Sequence, residues 1–183
     1  MKFSKMIGLC KKAKRVFVYE EYSGETVMQY IGDGNAAYPI FDMPRLDKNG
    51  IFAVMDVPEK NKSDYYYICT PIPEDISFKD SDKTETLVEP LPISIGFAGQ
   101  LMKPLQTQSG IMFIDERYLK PLSDVYDVLE LYERTSDSGK RYIVAKAGFL
   151  LQAVIMPISV MADSPFADEL ISVAEQLKAT AKN

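Results

Sequence analysis

Histidine and tryptophan are absent from the 183 residues of this chain, and cysteine occurs only twice. Without imidazole there is no Ser-His-Asp or Cys-His catalytic machinery and no histidine-ligated zinc. Cys10 and Cys69 are too few for a disulfide framework and lack a metal-binding spacing, so we expect a reducing compartment. The sequence also lacks a Walker A loop and a GxGxxG motif. We therefore predict a protein that is not an enzyme and that uses no metal and no cofactor.

Long apolar runs are absent as well. No stretch approaches the roughly eighteen apolar residues of a membrane span, and the basic residues near the start are interleaved with apolar ones, unlike a secretion signal. The composition, 46% hydrophobic and 26% charged, is that of an ordinary globular protein. We expect a cytoplasmic protein with no membrane partner.

Positive charge is concentrated in one segment of an otherwise acidic chain. Residues 2–15 hold six cations and no acid, whereas the formal net charge of the whole chain is −5. On a helical wheel the apolar residues of this segment, Met6, Ile7 and Cys10 among them, fall on one side. The pattern predicts an amphipathic helix that buries Cys10. Its cationic outer face consists of Lys5, Lys11, Lys12 and Arg15.

The order helix, strand, strand, strand is predicted twice along the chain. In the first copy, strand-type residues follow the basic helix, and "GDGN" (32–35) is a strong hairpin signal. In the second copy, "ERYLKPL" (116–122) is a short helix that Asp115 can cap, and three strand-like stretches follow it. The copies align so that Tyr30 meets Tyr142. An internal repeat explains this alignment, and so does chance similarity between strand-rich segments.

The remaining segments are assigned from local composition. "IFAVMDV" (51–57) has strand character, and the polar, proline-flanked segment 73–92 is predicted to be an exposed loop or a boundary. A helix begins near Ser164 with an apolar stripe formed by Phe166, Leu170, Val173, Ala174 and Leu177. These assignments divide the chain into residues 1–90, residues 91–163 and a C-terminal amphipathic helix, residues 164–183.

Three stretches, "MKFSKMIGLCKKAKR" (1–15), "ERYLKPL" (116–122) and "LQAVIMPISV" (151–160), resemble parts of the bacterial DNA sliding clamp, the beta subunit of DNA polymerase III. In that family the chain opens on "MKF" before a basic helix, a later strand leads into a "YLL" helix, and the chain closes on an "MP" strand. The resemblance implies an α+β fold of two helix-plus-antiparallel-sheet modules. The helix after the "MP" strand departs from the family.

The resemblance also implies a function. Clamp-like modules hold duplex DNA through phosphate contacts, which carry no sequence information and let a protein slide. The implied DNA-binding residues are Lys5, Lys11, Lys12, Arg15, Arg117 and Lys120. Only two modules are visible, so a ring would need several copies, and an oligomer of this chain is a predicted partner. A replication accessory role in a phage or mobile element is the implied setting.

Two alternatives remain open at this level. The lysines of the basic helix could form an ordinary solvated face with no ligand. The chain could also be a protein–protein interaction or assembly module of unrelated α+β fold, with a partner at the C-terminal helix and no affinity for nucleic acid. The aromatic run "DYYYI" (64–68) could stack on bases, but strand alternation favours packing of its rings within the fold.

Overall fold

The computed structural model describes residues 2–97, 99–158 and 165–180. The described residues form a mixed α+β fold, as predicted, with one large sheet and several helices. The α-helices are α1 (Phe3–Ala13), α2 (Lys48–Val54) and α3 (Pro165–Thr180), and the 3-10 helices are η1 (Glu59–Asp64), η2 (Glu116–Leu122) and η3 (Tyr126–Val128). The strands are β1 (Arg15–Ser23), β2 (Thr26–Gly32), β3 (Ala36–Ile40), β4 (Tyr66–Pro71), β5 (Thr86–Pro90), β6 (Ile95–Phe97), β7 (Gln100–Thr107), β8 (Gly110–Asp115), β9 (Leu129–Thr135), β10 (Arg141–Ala147) and β11 (Leu150–Ile155).

The strand order shows how the two predicted modules join. It runs β4-β1-β2-β3-β11-β10-β9-β5-β7-β6, with β8 paired to β7. The elements α1-β1-β2-β3 and η2-β9-β10-β11 repeat the same order, and the two halves meet where β3 pairs antiparallel with β11, Ala37 opposite Val154. Strand β4 pairs with β1 in parallel. The division into residues 1–90, 91–163 and 164–183 stays a prediction. Strand β5 of the first part pairs with β9 of the second, so the sheet is continuous across the boundary at residue 90.

The hairpin predicted at residues 32–35 forms, and local chemistry explains its geometry. The Asp33 carboxylate accepts hydrogen bonds from the backbone N–H groups of Asn35 and Ala36. Gly34 has a φ of 94°, which favours glycine. At Gly32 a Cβ atom would lie 1.6 Å from the carbonyl oxygen of Ala36, so no side chain fits there. The turn therefore depends on the two glycines and on one buried carboxylate.

The sheet buries both of its faces. On one side, which we call the helix face, α1, α2 and η2 pack on the strands around Met6, Ile51 and Leu122. On the other side, the opposite face, Phe78 packs with Tyr30, Tyr142 and residues of β11. Alternate residues of β10 therefore enter two different hydrophobic clusters.

The prediction of an exposed loop or a boundary at residues 73–92 was wrong for residues 86–90 and for Phe78, whereas residues 73–85 contain no helix or strand. Phe78 is buried against the opposite face, and residues 86–90 form β5 inside the sheet. Glu85, on the same segment, is hydrogen bonded to Arg134 and Lys146. Residues 73–85 therefore cover the opposite face instead of extending into solvent.

The strand predicted at residues 51–57 was also wrong. Residues Lys48–Val54 form α2, which begins at Asp47, whose carboxylate accepts a hydrogen bond from the Gly50 N–H at 2.7 Å. Ile51 and Phe52 are buried against the helix face. A helix buries these two residues on one apolar side. A short apolar run can form such a side as readily as it can form a strand.

The C-terminal helix is present as α3. Leu170 is buried with Met102 of β7 and Phe113 of β8, whereas Val173 is exposed. The other members of the predicted stripe, Phe166, Ala174 and Leu177, have side chains outside the described part of the chain. At least one turn of α3 therefore packs on the β7–β8 hairpin.

Candidate nucleic-acid interface

Helix α1 forms as predicted and is anchored by its apolar side. Met6, Ile7 and Cys10 are buried in the helix-face core. Burial, and after it the negative charge of Asp33, raises the pKa of Cys10 to about 12. The thiol is therefore protonated at neutral pH, and the prediction of a buried structural cysteine is confirmed.

Three of the four cations predicted on the outer side of α1, Lys5, Lys11 and Lys12, belong to that helix. The placement of Arg15 on it was wrong, because Lys14 ends the helix in the left-handed conformation and Arg15 begins β1. Lys5, Lys12 and Arg15 are exposed, and Lys11 is half-buried. The Lys5 Nζ atom donates a hydrogen bond to Ser123 Oγ at 3.1 Å. Lys11, Lys12 and Arg15 make no side-chain hydrogen bond or ion pair with another residue of the described ranges. These three side chains are open to an anionic partner.

A further cation, Lys14, lies where α1 turns into β1. Its φ of 50° ends the helix in the left-handed conformation, and its backbone N–H bonds back to α1 carbonyls. The Nζ atom lies 3.4 Å from Asp64 Oδ2, and both side chains are about half exposed. An exposed pair of this kind contributes at most about 1 kcal/mol, so Lys14 can exchange Asp64 for a phosphate. Sequence reasoning counted Lys14 in the basic segment but did not name it as a site residue.

The second predicted helix, η2, lies beside α1. The Lys2 backbone N–H donates to the Pro121 carbonyl at 2.6 Å, and the Lys5 to Ser123 bond lies next to this contact. Lys120 is exposed on η2. The fold therefore brings the two predicted cationic segments together on the helix face.

Arg117 is different because its guanidinium is used within the chain. Its Nη2 atom donates to Tyr118 Oη at 2.9 Å, and the guanidinium carbon lies 4.9 Å from the centre of that ring. Its Nε atom lies 3.0 Å from Asp115 Oδ2, an ion pair without hydrogen-bond alignment. The side chain is 30% exposed. Arg117 is thus a partly buried structural cation whose charge is offset by Asp115.

Tyr118 links this arginine to the first hairpin. Its hydroxyl donates to Asp33 Oδ2 at 2.9 Å, and its carbonyl accepts a hydrogen bond from Tyr38 Oη at 2.7 Å. Burial, and then the charge of Asp33, raises the pKa of Tyr118 to about 12. The hydroxyl therefore stays protonated and holds η2 against the turn between β2 and β3.

Charge differs between the two sides of the sheet. Residues 2–15 carry no acidic side chain, although three acids lie on η2 or just outside its ends, Asp115, Glu116 and Asp124. On the opposite face, the covering segment 73–85 holds five acids and two lysines. A surface potential of this kind steers an anionic ligand toward α1.

Metal and membrane sites were sought in the same ranges. Among residues 2–97, 99–158 and 165–180, no group of three or more His, Cys, Asp or Glu side chains is placed to hold a metal ion. In that part of the chain no helix is both long and apolar enough to cross a membrane.

Comparison of the chain with protein families, with curated proteins and with solved structures gave no match. The resemblance to the bacterial DNA sliding clamp therefore stays a prediction that depends on the sequence motifs.

Proposed function

We propose that this protein is a non-enzymatic, clamp-like protein that associates with duplex DNA through α1 and does not read its sequence. The observation that carries the proposal is the trio Lys11, Lys12 and Arg15, which has no intramolecular charge partner in the described ranges. The two lysines lie on the apolar-anchored helix α1, and Arg15 begins β1 two residues after that helix ends. Lysine and arginine that contact phosphates position a protein on DNA without distinguishing bases. The replication setting, in a phage or mobile element, comes from the resemblance alone.

The dimensions of α1 suit a phosphate backbone. Its 11 residues give a length of about 16 Å, over which a DNA duplex carries about nine phosphate charges. Contacts from Lys5, Lys11, Lys12 and Arg15 alone would make the logarithm of the binding constant fall with the logarithm of salt concentration with a slope of about −3.6, and each further contact would steepen it by about 0.9. Weak, strongly salt-dependent binding is therefore the expected behaviour.

The predicted residues do not contribute equally under this proposal. Lys120 is exposed and lies on the helix beside α1, so it can add a phosphate contact. Arg117 is committed to Tyr118 and Asp115, so it positions η2 and contacts DNA weakly or not at all. Lys14 takes its place as a contact residue.

The arrangement of the modules supports the same proposal. Two copies of one element order join at the β3–β11 pair, and both leading helices lie on the helix face. One ligand can therefore contact both modules. The alternative, an assembly module that uses the C-terminal helix, loses Leu170 as a contact, because this residue is already buried within the chain, and keeps Val173, which is exposed.

Charge reversal tests the proposal. The triple variant Lys11→Glu, Lys12→Glu, Arg15→Glu should abolish binding to a fluorescein-labelled duplex of about 20 base pairs, measured by fluorescence anisotropy from about 50 to 200 mM salt. A matched triple reversal at exposed lysines elsewhere, Lys60, Lys79 and Lys83, changes the net charge equally and should leave most binding intact.

Three results would contradict the proposal. One is absence of duplex binding by the unaltered protein even at the lowest salt. Another is unchanged binding after reversal on α1. The third is an equal loss after both triple reversals, which would indicate a general charge effect and not a site on α1.

A further inference from the structure

Four aromatic rings form a connected row beside the basic corner of the fold. We call Tyr66, Phe17, Tyr19 and Phe78 the aromatic strip. Ring centroids are 5.8 Å apart for Phe17 and Tyr66, 6.2 Å for Phe17 and Tyr19, and 5.6 Å for Tyr19 and Phe78. Tyr66 is 54% exposed, and Phe17 and Tyr19 are half-buried. The strip therefore runs from an exposed edge strand toward the interior of the opposite face.

One end of the strip is cationic. Arg15 precedes Phe17 by two residues in β1, so both side chains leave the sheet on the same side, and Arg15 is paired in register with Tyr66 of β4. Lys14, which is paired with Asp64, precedes Arg15 along the chain. The exposed Tyr66 ring and the exposed Arg15 guanidinium thus lie at one corner of the sheet.

The other end of the strip opens into a cavity. This space of about 180 Å³ is lined by Tyr19, Phe78, Asn35, Asp75 and Lys140, with the small side chains of Ala36 and Ala37 among its walls. An apolar cavity of about 150 Å³ is large enough to bind benzene, so this one admits a single aromatic ring. Its polar lining offers an amide, a carboxylate and an ammonium group to the edge of such a ring.

We propose that the aromatic strip and its cavity bind single-stranded nucleic acid. Bases stack on aromatic side chains without regard to sequence, while cations beside the rings hold the phosphates. Bases of a duplex stack on each other and cannot lie on this strip. The path leads from Arg15 over Tyr66 and Phe17 into the cavity, whose wall contains Lys140 and also Asp75 of the acidic covering segment, so stacking on the rings contributes more than phosphate contacts.

This proposal goes beyond duplex binding on α1 and can fail separately from it. The rings lie on the opposite face of the sheet from Met6 and the rest of the helix-face core, and Arg15 is the main residue that the two surfaces share. Variants that change only rings therefore separate the two activities.

The probe is a fluorescein-labelled oligo-dT of about 12 nucleotides, within the length that a single-strand site covers. Its anisotropy is measured beside that of the duplex. Tyr66→Ser should weaken oligo-dT binding roughly tenfold and leave duplex binding unchanged. Tyr126→Ser is the matched control, since Tyr126 is 58% exposed on η3, away from the strip. Tyr66 is an exposed residue of an edge strand, so its substitution should not unfold the chain.

A second variant tests the cavity end. Lys140→Gln should reduce the slope of log binding constant against log salt for oligo-dT by about 0.7, and Lys79→Gln, at another exposed lysine, should not. The proposal is overturned if the unaltered protein does not bind oligo-dT, if Tyr66→Ser binds it normally, or if Tyr126→Ser weakens it equally. Retained oligo-dT binding without duplex binding would support this site and overturn only the proposed function of α1.

Discussion

The carboxylate of Glu85 is the centre of a buried charge cluster. Its Oε2 atom accepts hydrogen bonds from Arg134 Nε at 3.1 Å and Nη2 at 2.6 Å, and its Oε1 atom accepts one from Lys146 Nζ at 2.8 Å. Arg134 is fully buried, Lys146 is 8% exposed and Glu85 is 15% exposed. The Nη1 atom of Arg134 donates to the carbonyls of Ser77 and Lys79. The cluster therefore holds the covering segment 73–85 against the opposite face.

Glu85→Gln keeps the shape of this side chain but removes the negative charge that is hydrogen bonded to both cations of the cluster. Burial by itself would raise the pKa of Glu85, yet the hydrogen bonds from Lys146 and Arg134 outweigh it and lower that pKa. Removing one partner of a buried ion pair costs about 3–5 kcal/mol. Because the amide still accepts one hydrogen bond, we expect a loss of about 3 kcal/mol, a large part of a total stability of about 5–15 kcal/mol.

Urea unfolding at about pH 7, followed by circular dichroism, measures this loss. Glu89→Gln is the matched control, because Glu89 is exposed on β5, the strand that begins one residue after Glu85, and it should change the free energy of unfolding by less than about 0.5 kcal/mol. Adding Lys146→Met to Glu85→Gln should recover part of the loss, since it removes one uncompensated cation. The reasoning would be refuted by a Glu85→Gln protein as stable as the Glu89→Gln protein.

Two further predictions concern acid stability and the first hairpin. Hydrogen bonds from Arg45 are the main cause that lowers the pKa of Glu20 to about 2 from 4.5, so the stability that its carboxylate contributes is complete above pH 4.5 and is lost as the pH falls toward 2. Glu20→Gln should flatten the dependence of unfolding free energy on pH in that window, and an unchanged acid limb would contradict this. Gly32→Ala should cost at least about 3 kcal/mol, because its Cβ would overlap a backbone oxygen. Gly96→Ala, which meets no atom within 4 Å, is its control in thermal unfolding, and equal melting temperatures would refute the steric argument.

Elements with a strong local pattern could be predicted from the sequence. Helix α1 has a helical apolar period, and Met6, Ile7 and Cys10 are buried as that period requires. The turn at residues 32–35 carries its own signals, a carboxylate that accepts backbone N–H bonds and a glycine with positive φ. The 3-10 helix at residues 116–122 begins at the predicted cap, Asp115. In each case the deciding interactions lie within a few residues of one another.

Short apolar runs were harder to assign. The run at residues 51–57 fits a strand by composition, but Asp47 caps a helix whose buried side contains Ile51 and Phe52. Periodicity over so few residues cannot separate the two states. Asp47 was the sequence signal for a helix start, but the strand prediction followed the apolar composition of the run instead.

By itself, the sequence determined the mixed α+β class, the repeated element order and the cationic side of α1, because these follow from periodicity, turn residues and charge along the chain. Only the tertiary structure decided which cations remain open. Arg117 and Lys12 are both cations that the sequence predicts to contact DNA. Asp115 and Tyr118 bind the guanidinium of Arg117, whereas no described residue pairs with Lys12. It also decided that Glu85 would meet Arg134 and that Tyr66 would lie beside Phe17. These contacts join distant parts of the chain, and they exist only because the strand order places β4 beside β1 and β5 beside β9.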